Sequence, residues 1–300
     1  MRISTNTLYE LGVSAIQQRT ADLIKTQQQL ASGRRILSPS DDPVGSSQAL
    51  ELSQSLNVTE QYKKNIAQGN SLLSLEESVL AGVTRVIQDV KVTAINAGNP
   101  TLSSNNLQAL ATELRGRYQE LLGLANSKDG QGQYMFSGFQ GATRPFTQTS
   151  GAGVYAGDQG QRATQISASR QVAISDTGQD IFKPGVTGQD VFATLDTLIT
   201  QLNAGSITST QLSTALTGLD TALNNVLRVR SSVGARLREL ESTDGTHEEN
   251  VLQYKTSISD LQDLDYTKAI TDLTRTQTSL EAAQKSYVAV QQLSLFNFIG

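Results

Sequence analysis

The sequence predicts a mainly helical α+β protein: an elongated, antiparallel, coiled-coil-like helical bundle built from both ends of the chain, with one small β-rich module inserted in the middle. Three observations predict this fold class. Apolar residues recur every seven positions in several segments of the 300-residue chain, which is typical of packed helices. A stretch rich in glycine and aromatic residues interrupts these segments between residues 131 and 186. The heptads at the two chain ends are each only half of a core, so we expect the two ends to pair.

The two chain ends carry the heptads that are predicted to pair. One helix is expected from Thr5 or Asn6 to Ser32, and the final helix is expected from about Val251 to Leu295. Each end of the chain carries only half of the apolar residues that a helical core needs. We therefore expect the chain to run out and return, so that its first and last helices pack side by side. We call the eight residues of this predicted contact the terminal seam: Tyr9, Ile16, Leu23, Leu30, Tyr266, Leu273, Leu280 and Tyr287.

A hinge is predicted directly after the first helix. Gly33 suits the end of a helix, and Pro39 prevents the helix from continuing. Asp41 and Asp42 precede a second helix, and Pro43 suits its first turn because the missing N–H is not needed there. The two aspartates are expected to cap that helix, with a metal-binding pair as the alternative. Two interpretations stay open for the neighbouring arginines, a solvated bend or a contact with another subunit: Arg34 and Arg35.

The remaining helices are predicted to form the bundle. The second helix, from Pro43 to Ala97, carries a sustained heptad seam and would be roughly 80 Å long at 1.5 Å per residue. A third helix is expected from about Ser103 to Asn126, a short one from Gln189 to Asn203, and a longer one from Ser209 to Ser242. The Asp-Gly pair at 244–245 is then predicted to turn the chain into the final helix.

The middle of the chain is predicted to fold as a compact β-rich module. Alternating patterns at Thr164–Ala168 and Gln171–Ile174 are typical of strands, and the aromatic residues of this stretch are expected to bury together. The predicted organisation therefore has five segments: 1–42 as the first half of the terminal-helix domain with the hinge, 43–130 as the first part of the bundle, 131–186 as the β-rich module, 187–250 as the second part of the bundle, and 251–300 as the C-terminal helix.

Composition and motifs give no support for catalysis. The net charge of -4 comes without the clustered Lys and Arg of a nucleic-acid footprint, and without cysteine there is no disulfide or thiolate metal site. No Sec-type signal and no membrane-spanning run are expected. The single histidine, His247, is expected to be a solvated turn residue, and the glycines at 151–157 only superficially resemble a dinucleotide-binding loop. We predict no enzyme activity and no catalytic, cofactor-binding or metal site.

Three motifs resemble those of the flagellin family. They are the opening Arg2-Ile3-Ser4-Thr5-Asn6-Thr7, the hinge from Ala31 to Pro43, and the closing Asp265-Tyr266-Thr267-Lys268-Ala269. Further features are more similar to the hook-filament junction members of that family than to flagellin itself: the prolines flanking Ser40-Asp41-Asp42, the stretch from Gly132 to Gly138, and the ending from Leu293 to Ile299.

The resemblance implies a secreted structural protein of the bacterial flagellum. Such a protein is exported by the flagellar type III apparatus and assembles as a layer between the hook-side junction protein and flagellin. The terminal seam would then form an inner tube, and the hinge would link two shells. Implied partners are copies of the chain, flagellin, the hook-side junction protein and a cytoplasmic export chaperone, with no cofactor. The alternatives are a flagellin, which is the filament subunit, and an unrelated coiled-coil scaffold or adhesin.

Overall fold

The fold is known from a computed structural model that describes residues 5–149, 152–183 and 190–299. Long helices dominate these ranges, and short antiparallel strands occur only between residues 146 and 173. The elements in chain order are α1 (Thr5–Ser32), α2 (Pro43–Ala97), α3 (Ser104–Ala125), β1 (Phe146–Thr149), β2 (Ala152–Tyr155), β3 (Ala163–Ser167), β4 (Arg170–Ala173), α4 (Gly178–Phe182), α5 (Val191–Asn203), α6 (Ser209–Gln262) and α7 (Tyr266–Ile299). The predicted mainly helical α+β class is confirmed.

The chain divides into two compact units. The terminal unit comprises Met1–Val58 and Glu249–Gly300, and therefore holds α1, the start of α2, the end of α6 and α7. The central unit comprises Thr59–Glu248 and holds the rest of α2 and α6 with all elements between them. The predicted segment boundary at 186–187 lies outside the described residues.

A single apolar cluster forms the core of the central unit. On α2 the heptad residues Leu73, Leu80 and Ile87 are almost completely buried, as their spacing of seven requires if one stripe of the helix faces the core. Matching stripes on the other helices complete the cluster with Leu114 and Leu121 of α3, Leu195, Leu198 and Leu202 of α5, and Val226, Val233 and Leu240 of α6. Each such side chain stabilises the fold by roughly 1.5 to 3 kcal/mol.

Two separate hairpins make up the β-rich part of the central unit. Strand β1 pairs with β2, and β3 pairs with β4, both antiparallel, with a register shift between Gln165 and Ser167. The Phe146 ring of β1 lies 5.3 Å from the Phe182 ring and 5.1 Å from the Phe192 ring of α5, measured between centroids. Phe136, Phe146 and Phe182 thus bury together as expected, and Phe192 joins them to the helical core. The expectation is wrong for Phe139, which is 68% exposed.

The turn predicted at residues 244–245 is wrong, because α6 continues without a break to Gln262. The solvated position predicted for His247 is also wrong. His247 is 8% exposed, its Nε2 lies 2.7 Å from the carbonyl oxygen of Ile166, and its ring stacks on that of Tyr62 at 5.7 Å. His247 follows the buried Leu240 by seven residues, so it extends the same buried stripe, and this packing outweighs the local turn preference of the Asp-Gly pair.

A buried carboxyl group lies among charged residues in the same unit. Glu76 of α2 is 2% exposed and lies near Asp176, which forms an ion pair with Arg236 of α6. Burial, and next the negative charge of Asp176, raises the pKa of Glu76 well above its ordinary value of 4.5, although Arg236 opposes the shift. Folding therefore favours the neutral form of the Glu76 carboxyl group.

We expect a Glu76→Gln variant to lose less stability than the wild type as the pH rises. Because the pKa of Glu76 is raised on folding, its contribution is fully present below about pH 4.5 and is lost as the pH rises through the folded-state pKa, with a slope of up to about 1.4 kcal/mol per pH unit. The neutral glutamine has a similar shape and no proton to lose. The measurement is urea unfolding followed by circular dichroism across pH, with the exposed Glu248→Gln as control. Equal pH slopes for all three proteins would contradict the prediction.

Candidate assembly surface and hinge

The two terminal helices α1 and α7 pack side by side in the terminal unit. One pair of the terminal seam is in ring contact, since Tyr9 and Tyr287 meet edge-to-face with centroids 6.2 Å apart. Tyr266 is 53% exposed, whereas the other seven residues of the seam are half-buried: Tyr9, Ile16, Leu23, Leu30, Leu273, Leu280 and Tyr287. A pair of helices covers each seam side chain from one direction only, so the seam is not closed within one chain.

Further apolar side chains lie on the uncovered faces of this helix pair. They are between 41% and 60% exposed: Leu11, Val13 and Ile24 on α1, with Ile270 and Val288 on α7. Single exposed apolar residues are ordinary, but a set of them beside a half-buried seam makes this surface a candidate for association with another protein. The terminal helix pair is therefore the candidate assembly surface.

A glycine allows the two terminal helices to approach closely. A Cβ atom placed on Gly12 would lie 2.7 Å from Cδ2 of Tyr287, which is too close for two carbon atoms. Only a residue without a side chain lets the Tyr287 ring lie against α1 here. The heptad pattern did not single out Gly12. A glycine inside a helix lowers the stability of that helix by about 1 kcal/mol relative to alanine, so its presence there can indicate that another segment packs closely against the helix.

Gly33 ends α1 with a left-handed backbone, at φ 69°. Its N–H donates to the carbonyl of Gln29 at 2.8 Å, as in a common helix C-cap. The Tyr266 hydroxyl would be 2.8 Å from a Cβ atom on Gly33. The structure therefore places Tyr266 at the hinge, beyond the half-buried part of the terminal seam. Downstream, Pro39 is exposed and Pro43 is the first residue of α2.

The two hinge aspartates bind groups of the protein itself. Asp42 accepts the N–H of Gly45 at 2.9 Å and so caps the start of α2. Asp41 accepts the N–H groups of Leu37 and Ser38 at 3.1 and 3.0 Å, and its other oxygen lies 2.7 Å from Nζ of Lys25. The hydrogen bond from Lys25, and next that from Ser38, lowers the pKa of Asp41 to about 2. These contacts are those of capping and turn-forming carboxylates.

The connection between α6 and α7 contacts the hinge, and the sequence pattern did not predict this connection. The final helix predicted from about Val251 is instead divided, because α6 ends at Gln262 and α7 begins at Tyr266. In the connection between them, the N–H of Leu264 donates to the carbonyl of Gly33 at 3.0 Å. The local signal was Asp265, whose side chain accepts the N–H of Lys268 at 3.1 Å and caps α7.

The described part of the chain offers little for other kinds of site. Within it, no group of three or more His, Cys, Asp or Glu side chains could hold a metal ion. The helices among these residues are all too short or too polar to cross a bilayer. The terminal helix pair and its hinge are therefore the features on which the functional interpretation depends.

We expect Gly12→Leu to weaken the pairing of α1 with α7, because the new side chain overlaps the Tyr287 ring. Overpacking of this kind costs about 1 to 3 kcal/mol, so amide hydrogen exchange in α1 should accelerate by about tenfold or more. Gly116→Leu is the matched control, since no atom lies within 4 Å of a Cβ at that position. Adding Tyr287→Ala should restore slow exchange to the Gly12→Leu protein. Unchanged exchange in Gly12→Leu would show that the close approach is unimportant.

Both ends of the chain match known family regions. Residues 3–141 match the bacterial flagellin N-terminal helical region, and residues 216–299 match the bacterial flagellin C-terminal helical region. The chain is 36% identical over 315 aligned residues to flagellar hook-associated protein 3 of Salmonella typhimurium, and again 36% identical over 315 residues to the protein of that name from Escherichia coli, with 99% of each chain covered. It is 23% identical over 301 residues to a flagellin of Bacillus subtilis, with 97% of each chain covered.

Solved structures of flagellar proteins are similar in fold to this chain. A structure described as a flagellar hook-associated protein from Vibrio parahaemolyticus matches with a TM-score of 0.70 and 27% identity, over 74% of this chain and 100% of that one. A flagellar junction protein from Legionella pneumophila shares the fold, with a TM-score of 0.59 and 22% identity over 72% of this chain and 100% of its own. With these similarities over its whole length, the chain belongs to the flagellin family and is a structural component of the bacterial flagellum.

Proposed function

We propose that this chain is a hook-filament junction adaptor, which assembles as a layer between the hook-side junction protein and flagellin. One observation carries the proposal: the chain is 36% identical to hook-associated proteins but only 22% to 23% identical to flagellins that align over nearly the whole chain. Because nearly the whole chain is covered in both comparisons, a difference in length does not explain the difference in identity. Over nearly the whole chain, the overall identity is therefore higher to the hook-associated proteins than to these flagellins.

The terminal helix pair supplies the surface that such a layer needs. Its seam is half-buried, and five more apolar side chains on α1 and α7 are largely exposed. Covering these five side chains with neighbouring copies would stabilise the layer by roughly 1 kcal/mol or more apiece, about half the value for complete burial. We therefore assign the inner contacts of the layer to α1 and α7.

The composition of the chain suits repeated contacts between copies. Charged residues make up 17% of the chain, below the roughly 25% of average globular proteins, and Gln, Ser, Thr and Asn fill many polar positions. Identical subunits in a layer bring the same surface patches together many times. A surface with few charges avoids the like-charge repulsion that this symmetry would otherwise create.

An adaptor of this kind needs a route to the cell exterior and specific partners there. The chain would be exported by the flagellar type III apparatus, with a cytoplasmic chaperone holding its C-terminal region beforehand. Outside the cell it would contact copies of itself, flagellin and the hook-side junction protein. Its role would be structural, without catalysis. Membership of the flagellin family supports this part of the proposal.

A filament subunit is the second candidate function. The flagellin of Bacillus subtilis aligns over 97% of both chains, so the small size of this chain fits a flagellin as well as an adaptor. The two functions differ in what the assembled layer does next. A flagellin adds indefinitely to its own kind, whereas an adaptor stops after one layer and presents a different surface to flagellin. An unrelated coiled-coil scaffold or adhesin is ruled out by the family membership.

Deleting the gene in its flagellated host tests the adaptor role. We expect hooks to remain, filaments to be absent, and flagellin to accumulate in the medium, because flagellin would be exported without a surface on which to assemble. Electron microscopy of cells and quantification of secreted flagellin give the two readouts, with plasmid complementation as the control. Loss of flagellin itself would assign the filament-subunit role instead. Normal filaments would contradict both functions for this chain.

Seeded polymerisation separates the two candidates in vitro. We expect the purified full-length protein to add a single short layer to isolated hooks that carry the hook-side junction protein, and then to stop. Electron microscopy measures the added length, and purified flagellin applied afterwards should extend it. Long filaments of this protein alone would show that it is a flagellin.

A further inference from the structure

Two chain connections lie against each other in the terminal unit, and Arg35 joins them. One connection runs from Gly33 to Asp42 between α1 and α2, and the other runs from Asp263 to Asp265 between α6 and α7. They pair as a short antiparallel bridge centred on Arg34 and Asp263. Two main-chain hydrogen bonds flank this centre, from Leu264 N–H to the Gly33 carbonyl at 3.0 Å and from Arg35 N–H to the Gln262 carbonyl at 2.7 Å.

The polar groups of Arg35 bind three parts of the terminal unit, namely the end of α1, the end of α6 and the residue before α2. Its N–H contacts the end of α6 through Gln262, and its carbonyl oxygen accepts from Nε2 of Gln29, in the last turn of α1, at 2.7 Å. Its guanidinium donates to the carbonyl of Leu261 at 2.8 Å and to the Asp42 carboxylate at 3.3 Å. We call this set of hydrogen bonds, together with that between Leu264 and Gly33, the clasp.

The clasp satisfies groups that helix ends leave without partners. The last carbonyls of α6 lack N–H donors within the helix, and Arg35 supplies donors to two of them, those of Leu261 and Gln262. Its positive charge also lies at the C-terminal end of α6, while Asp42 places a negative charge at the start of α2, so both charges oppose the helix dipoles favourably. One side chain thus links the end of α6 with the cap of α2.

We infer that Arg35 is a positioning residue that makes the two connections act as one joint, so that α1 and α7 leave the ends of α2 and α6 as a single body. The inference does not depend on the proposed adaptor role, because it concerns the terminal unit of one chain. Both side-chain hydrogen bonds leave the same nitrogen, Nη2. A lysine could replace Arg35 only in part, because its ammonium is a compact, strongly hydrated charge on a flexible stem and lacks the planar, pre-organised guanidinium. Losing the guanidinium should loosen the second connection as well, although that connection is distant in sequence.

Introduced cysteines report directly on the clasp. The chain contains no cysteine, so a full-length Arg34→Cys/Asp263→Cys protein has these two thiols alone. Facing residues at a non-hydrogen-bonded antiparallel position have Cα atoms about 4.5 Å apart, which is within the range for an unstrained disulfide of about 4.4 to 6.8 Å. Equilibration in glutathione buffers then gives the effective concentration of one thiol at the other.

The test compares this protein with three versions that carry one more substitution each. We expect Arg35→Ala to lower the effective concentration about tenfold, as for the loss of a charged hydrogen bond, and Arg35→Lys to have an intermediate effect. Arg19→Ala, which removes the same charge from an exposed position on α1, should have none. Circular dichroism checks that each protein stays folded. Equal values for Arg35→Ala and Arg19→Ala would overturn the inference, as would a parent protein whose effective concentration is no higher than in denaturant.

Discussion

The pairing of α1 with α7 is the constraint on which the terminal unit depends. These helices come from opposite ends of the chain, and their contact brings residues more than 250 positions apart into one seam. Such long-range contacts carry an entropic cost of loop closure. The hinge and the second connection reduce this cost for α1 and α7, because they hold the end of α1 next to the start of α7.

Much of the fold could be predicted because its signals are local and repeated. Helix α1 ends directly before the predicted glycine, α2 begins at the predicted proline after the two aspartates, and heptad residues of α2 are buried. The same local reasoning failed at the Asp-Gly pair within α6. There the deciding interactions are the contacts of His247 with Ile166 and Tyr62, which come from distant parts of the chain. A sequence pattern indicates the local conformation that a segment favours. It does not show which distant residues will pack against that segment.

The candidate site was predictable to the same extent. The seven-residue spacing predicted the terminal seam, in which Tyr266 is 53% exposed and lies at the hinge instead. At the hinge, Gly33 has the left-handed backbone and Asp42 the capping contact that the sequence predicted. Gly12 and Arg35 were harder to recognise, since their importance comes from Tyr287 and from the end of α6. Arg34 and Arg35 look alike in sequence, yet only Arg35 has a side chain that bonds to other described residues, Asp42 and Leu261. The difference between two adjacent identical residues is set by the second connection.

Because the two connections are adjacent, the length of the chain between them can vary at little cost. In the terminal unit the outgoing connection at Gly33 and the returning connection at Leu264 are joined by a hydrogen bond, so the rest of the chain between them forms a closed loop. The entropy of closing a flexible loop grows only with the logarithm of its length, and each doubling adds about 0.6 kcal/mol. Lengthening or shortening the central unit should therefore cost the terminal pair little. One pair of end helices can then serve chains whose middle parts differ widely in size.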